Sequence, residues 1–106
     1  MLFDEWKEHS GATISNHLLW EYDLNSFDWD DMRTVVVQRV IERGHFDDFY
    51  AAITRYGGID RFKDIIKQIP VLSDIDIAFV CAVFDLDKNE LRCYTRKQSR
   101  RELLTS

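Results

Sequence analysis

The sequence predicts an all-α protein, a compact single-domain bundle of about five helices. Three observations carry this expectation. Apolar residues recur at spacings of three and four in successive segments, the period of one helix face. Those segments are bracketed by Ser or Asp in front and by Gly or Pro behind. No segment alternates polar and apolar residues over the length of a strand, and the connectors are short enough for antiparallel helix packing. The 106 residues suffice for one domain spanning 1–106, with a basic C-terminal tail from about residue 95.

The first well-marked helix spans Asp28 to Gly44, opening on an Asp N-cap with acids in its first turn and closing on Gly44. Trp29, Met32, Val36, Val40 and Arg43 follow the helical spacing, and Val37 and Ile41 widen the stripe. The run Val35-Val36-Val37 carries strand character through its β-branched side chains, but the caps and the length of the segment outweigh it. A second helix, Phe46 to Tyr56, puts Phe46, Phe49, Tyr50, Ile53 and Tyr56 on one face and ends at Gly57-Gly58. Asp60 opens a third, with Phe62, Ile65, Ile66 and Ile69 inward and Pro70 enforcing the stop. Ser73 caps a fourth, Asp74 to Phe84, whose continuous apolar centre suggests burial on most sides and a central place in the bundle. Asp87 and Glu90 frame a capping box for a short final turn. Near the front, Ile14 to Tyr22 reads as a short helix.

The hydrophobic fraction of 45% excludes an intrinsically disordered chain. The longest apolar run, residues 77–84, is far shorter than the roughly 20 residues of a membrane span. The first residues carry early acids and lack a basic region followed by an apolar run, so no signal peptide is expected. Two cysteines, Cys81 and Cys93, read as free thiols in a reducing compartment, and a cytoplasmic location follows as the expectation. The net charge of −5 is unevenly spread: residues 1–50 hold eleven acids against four Lys and Arg, whereas residues 92–106 hold five Lys and Arg against one Glu. Such asymmetry suits charged partners, a basic protein for the acidic half or an anionic surface for the tail. A solvated acidic surface with a basic end explains it equally well.

Signatures of catalysis are lacking, and no enzyme activity, metal or cofactor is expected. His9, His17 and His45 share no ligand spacing. Asp28, Asp30, Asp31, Asp47 and Asp48 sit at helix starts, where the positive end of the helix dipole already accounts for them. Residues 85–90 lack the glycine and the length of a calcium loop, and Gly57-Gly58 matches no phosphate-binding pattern. Cys81 lies in apolar sequence, as an inert thiol does. Cys93 has basic neighbours that could lower its pKa, but no histidine stands near it in sequence.

Two stretches are candidates for binding. In the tail, Arg92, Tyr94, Arg96, Lys97, Arg100 and Arg101 could pair with phosphates and stack on a base, or form a basic end suited to a helix C-terminus. Among the N-terminal aromatics, Phe3, Trp6 and Trp20 are either core or the anchors of an interface, with Asp30 and Asp31 as acidic contacts.

Residues 19–23 (Leu-Trp-Glu-Tyr-Asp), 36–44 (Val-Val-Gln-Arg-Val-Ile-Glu-Arg-Gly), Arg55-Tyr56-Gly57, and Phe84 followed by residues 91–98 (Leu-Arg-Cys-Tyr-Thr-Arg-Lys-Gln) together resemble a family of small helical bacterial proteins. The likeness covers roughly residues 18–98, and its motifs are of modest specificity. That family has no established function, and its members are often encoded beside nucleotidyltransferase-like toxins of the abortive-infection type. The resemblance implies an antitoxin role, neutralising such a toxin by direct contact, and implies no catalytic residue. A small DNA- or RNA-binding regulator acting through the tail is the alternative expectation, and self-association remains open.

Overall fold

The structure, a computed structural model, describes residues 3–9, 11–23 and 25–95. It is all-α, with four α-helices, three 3-10 turns and a helical stretch over residues 92–95, and no strand occurs among the described residues. The helices are α1 (Arg33–Arg43), α2 (Phe46–Arg55), α3 (Ile59–Gln68) and α4 (Asp74–Phe84). Among the described residues no helix is long and apolar enough to cross a membrane.

α1 buries Val36, Val37, Val40 and Ile41, the stripe expected of it, while Arg43 is exposed and leaves that stripe. The helix also begins later than the sequence suggests. The Asp28 carboxylate does cap backbone amides, those of Asp30 and Asp31, at 3.1 Å each, but it caps a turn rather than α1 itself. Helix from Asp28 onward would require the Trp29 carbonyl to accept from the Arg33 N–H. The Arg33 N–H bonds Asp30 O instead, and the Trp29 carbonyl accepts from the Tyr56 hydroxyl at 2.9 Å. At the other end Gly44 has a negative φ, so it is no left-handed cap. A Cβ there would stand 2.6 Å from Val40 O, so glycine is required by the close approach of two backbones.

α2 opens on a reciprocal capping box between His45 and Asp48 and buries Phe49, Ala51, Ala52 and Ile53. Phe46, expected on the same face, is 59% exposed. The α2–α3 turn runs through Gly57 and Gly58 at φ +95° and +123°, a region that disfavours side chains. The Trp6 ring packs 3.5 Å from where a Gly58 Cβ would lie, so the turn also makes room for the N-terminal segment. α3 turns Phe62, Ile65 and Ile66 inward, followed by buried Ile69 ahead of Pro70. α4 has the expected bounds, with the Ser73 hydroxyl accepting from Asp76 N–H, and its carboxyl end closes on Asp85 in the left-handed conformation. The Asp87–Glu90 box also forms, around the 3-10 turn Lys88–Glu90.

The position of α4 departs from expectation. It is not central: Ile77, Val80 and Phe84 are buried, but Ile75, Ala78 and Ala82 face outward. The expected helix over Ile14 to Tyr22 is also absent, reduced to one 3-10 turn, Asn16–Leu19. Ser15 is extended, and both its N–H and its hydroxyl donate to Asp48, at 2.7 and 2.8 Å. Ser15 thus enters the Asn16–Leu19 turn from an extended conformation anchored on α2, and so short a helix gains little by itself.

Phe3 is fully buried at the centre of an aromatic cluster, stacked on Phe49 at 4.7 Å and Phe84 at 5.6 Å. Phe46 and Tyr50 meet it edge-on, and Phe62 joins the cluster through Phe84. The 3-10 turn Trp6–His9 then lies along α2, with the His9 ring stacked on Tyr50. A terminal segment and three helices thereby share one core.

Candidate protein-interaction surface

The loop between the Asn16–Leu19 turn and α1 carries most of the features that suit recognition. Leu18 and Leu19 are buried beneath it, which turns the next side chain outward: Trp20 is 76% exposed. Burying an indole contributes on the order of 2–3 kcal/mol, so an indole left in water is an unused source of binding energy. The loop beneath it is braced from α1, where the Arg39 guanidinium donates to Leu18 O at 3.1 Å and forms an ion pair with Glu21. The hydrogen bond from Arg39 holds the Glu21 carboxyl below its usual range, and the same bond raises the guanidinium further. Such bracing reduces the ordering cost of a contact made through Trp20.

Beyond Trp20 the loop is acidic. Glu21, Asp23, Asp28, Asp30 and Asp31 are all exposed. Asp23 accepts from Asn25 N–H at 3.0 Å, and Asp28 closes the turn before α1, so both carboxylates shape the backbone while facing water. Tyr22, Phe27 and Trp29 form a run of edge-on ring contacts at 5.3 and 4.8 Å, and the Arg55 guanidinium from α2 covers Trp29 at 4.2 Å from the ring centroid. A guanidinium–indole contact at an exposed site contributes about 0.5–1 kcal/mol. The Thr54 hydroxyl beside Arg55 is buried without a hydrogen-bond partner among the described residues.

The Tyr56–Trp29 hydrogen bond is the innermost tie of this loop. Burial pushes the Tyr56 phenol up to about 12 from its ordinary 10.0. A raised acid pKa stabilises the fold fully below the unfolded value, and that stability is lost as pH rises through the folded value. Unfolding free energy is therefore expected to fall between about pH 10 and 12. Tyr56→Phe removes this share of the decline, which denaturant titrations across that range measure; an unchanged slope would contradict the assignment.

The sequence candidates separate on this geometry. Trp20, Asp30 and Asp31 share the loop. Phe3 does not reach the surface and is corrected to a core residue. Trp6 is half-buried against Gly58 of the α2–α3 turn with the Lys7 ammonium near its ring, away from the acidic loop in the chain. Arg92 is exposed, and Tyr94 is half-buried against the core; Arg96, Lys97, Arg100 and Arg101 lie outside the described residues. Cys93 is buried and so withdrawn from the reactive setting its sequence neighbours suggest. Burial raises the Cys81 thiol, as expected for an inert one. Reading the sequence missed Arg39 and Arg55, since nothing local pairs them with Glu21 and Trp29.

Among the described residues no group of three or more His, Cys, Asp or Glu side chains could hold a metal ion. No curated protein and no solved structure matches the chain. A family profile does match half of the sequence, and its span takes in the acidic loop, α1, α2 and most of α3. The chain belongs to that family, DUF6922, a family of unknown function, through residues 14–66.

Proposed function

We propose that this protein is a non-enzymatic, cytoplasmic binding protein of antitoxin type, which neutralises a basic, nucleotidyltransferase-type toxin by direct contact. The observation that carries the reading is Trp20, exposed on a braced loop that also carries five exposed acids. Interfaces draw most of their energy from a few such anchors, and aromatic residues are prominent among them. The surrounding carboxylates raise the encounter rate with a basic partner and disfavour acidic ones. The choice of toxin class rests on the resemblance in residues 18–98.

Co-expression of the tagged protein with its chromosomal neighbours, followed by purification and mass spectrometry, tests the proposal. A stoichiometric complex with a basic nucleotidyltransferase-like neighbour is expected. Trp20→Ala should weaken it by at least about thirtyfold, the mark of an anchor residue, while thermal stability stays within about 0.5 kcal/mol because the side chain is exposed. Recovery of the folded protein alone, together with nucleic-acid binding that weakens steeply with salt and is lost when Arg96, Lys97, Arg100 and Arg101 become Ala, would replace this reading with a regulator acting through the tail.

A further inference from the structure

α4 has the composition of an enclosed helix and the position of an edge one. From Ile75 to Phe84 its only polar side chain, apart from the Cys81 thiol, is that of Asp76. A helix apolar all round is normally covered all round. Here the fold covers one side, with Ile77, Val80 and Phe84, and leaves the other in water. Ile75 is 82% exposed, Val71 just ahead of the helix is 58% exposed, and Ala78 and Ala82 are exposed one and two turns further on. Within α4, positions 75, 78 and 82 follow the period of a single face. Phe79 and Val83, half-buried, border it. The result is an apolar strip from Ile75 to Ala82, about 10 Å long at the helical rise. The two alanines keep it low between taller neighbours, a shape that admits a second helix at close range.

Acids predominate at both ends of the strip, with Lys88 the one cation next to its carboxyl end. Asp74 and Asp76 stand in the first turn of α4, and Asp85 and Asp87 follow its last. Two copies of this chain facing each other through α4 would set acids against acids at both ends, in either helix orientation, which disfavours self-pairing. We infer that the exposed face of α4 docks an amphipathic helix from a partner protein, one whose apolar stripe is flanked at both ends by Lys or Arg. Apolar residues at helical spacing supply the contact area, and the flanking cations select the partner and its position. This rests on the reading of the protein as a binder of a basic partner and adds a second surface to it, outside the matched residues 14–66.

The test uses the full chain and two synthetic helical peptides of roughly sixteen residues, enough to span the strip. Both carry the same Leu and Ile stripe; one is flanked by Lys and the other by Glu. Fluorescence anisotropy is expected to show the Lys-flanked peptide binding at least about tenfold more tightly than its counterpart. Ile75→Lys should weaken that binding by at least about tenfold, with an unchanged melting curve because Ile75 is exposed. Trp20→Ala should leave it unchanged, and the probe is no toxin, so this result is independent of whether the neighbour is captured. Equal binding of the two peptides, or indifference to Ile75→Lys, overturns the inference. So does a dimer in sedimentation equilibrium that Ile75→Lys dissociates, since a second copy would then be the occupant.

Discussion

Phe3→Ala is expected to destabilise the domain by about 3–5 kcal/mol, the range for removing a buried phenyl ring. Phe3 is fully buried between Phe49 and Phe84, with two further rings on its edges. Its loss opens a cavity where the N-terminal segment, α2 and α4 meet. In a domain of about 100 residues this corresponds to a fall in Tm of more than about 10 °C. Urea unfolding followed by circular dichroism should show a lower midpoint with an unchanged slope. Phe3→Leu, which keeps most of the volume, should lose only about 1–2 kcal/mol. The experiment also separates the two roles the sequence allows. An interface anchor truncated to alanine leaves stability intact and weakens binding, so a change below about 0.5 kcal/mol would return Phe3 to the surface.

Asp48→Ala ranks next, with an expected loss of about 3 kcal/mol. Asp48 is 1% exposed and is the one charged side chain among the buried residues described. Its two oxygens accept from Ser15 N–H, Ser15 hydroxyl and His45 N–H at 2.7–2.9 Å. Alanine removes the α2 capping box, which contributes about 1 kcal/mol. It also leaves the Ser15 N–H without its acceptor, at a further cost of about 1–3 kcal/mol. Burial pushes the carboxyl upward, but the hydrogen bonds from His45 and Ser15, with the charge of His17, outweigh it and hold the pKa below the usual 3.8. A depressed folded pKa means that the stabilisation is present above the unfolded value and lost as pH falls through the folded one. Wild-type stability from this group should be constant above about pH 5 and should decline below about pH 4. Asp48→Asn, which keeps an acceptor but cannot ionise, should abolish that portion of the acid decline. Parallel acid slopes for the two proteins would show that Asp48 titrates alike folded and unfolded.

These substitutions act at points where the sequence is least legible. What it determined unaided is the set of features closed within about four residues. Ser73 with Asp76, Asp87 with Glu90, Gly57-Gly58 and Pro70 mark their helix ends through local hydrogen bonds and backbone limits, and the stripes of α1 and α3 follow from spacing alone. The all-α class rests on these and was readable at once. The turn that precedes α1 was not, for it is held by Tyr56, 27 residues away, through the Trp29 carbonyl. The extended backbone at Ser15 is likewise held from a distance, by Asp48. At the candidate surface the sequence offered Trp20 as one aromatic among several. Only packing separated it from Phe3, by burying Leu18 and Leu19 beneath its loop and fastening that loop through Arg39. For α4 the apolar pattern states a demand for burial, and tertiary structure decides how much of it one chain can meet. Periodicity records which side chains favour leaving water; which of them succeed is set by contacts between distant segments, whose energies local sequence does not contain.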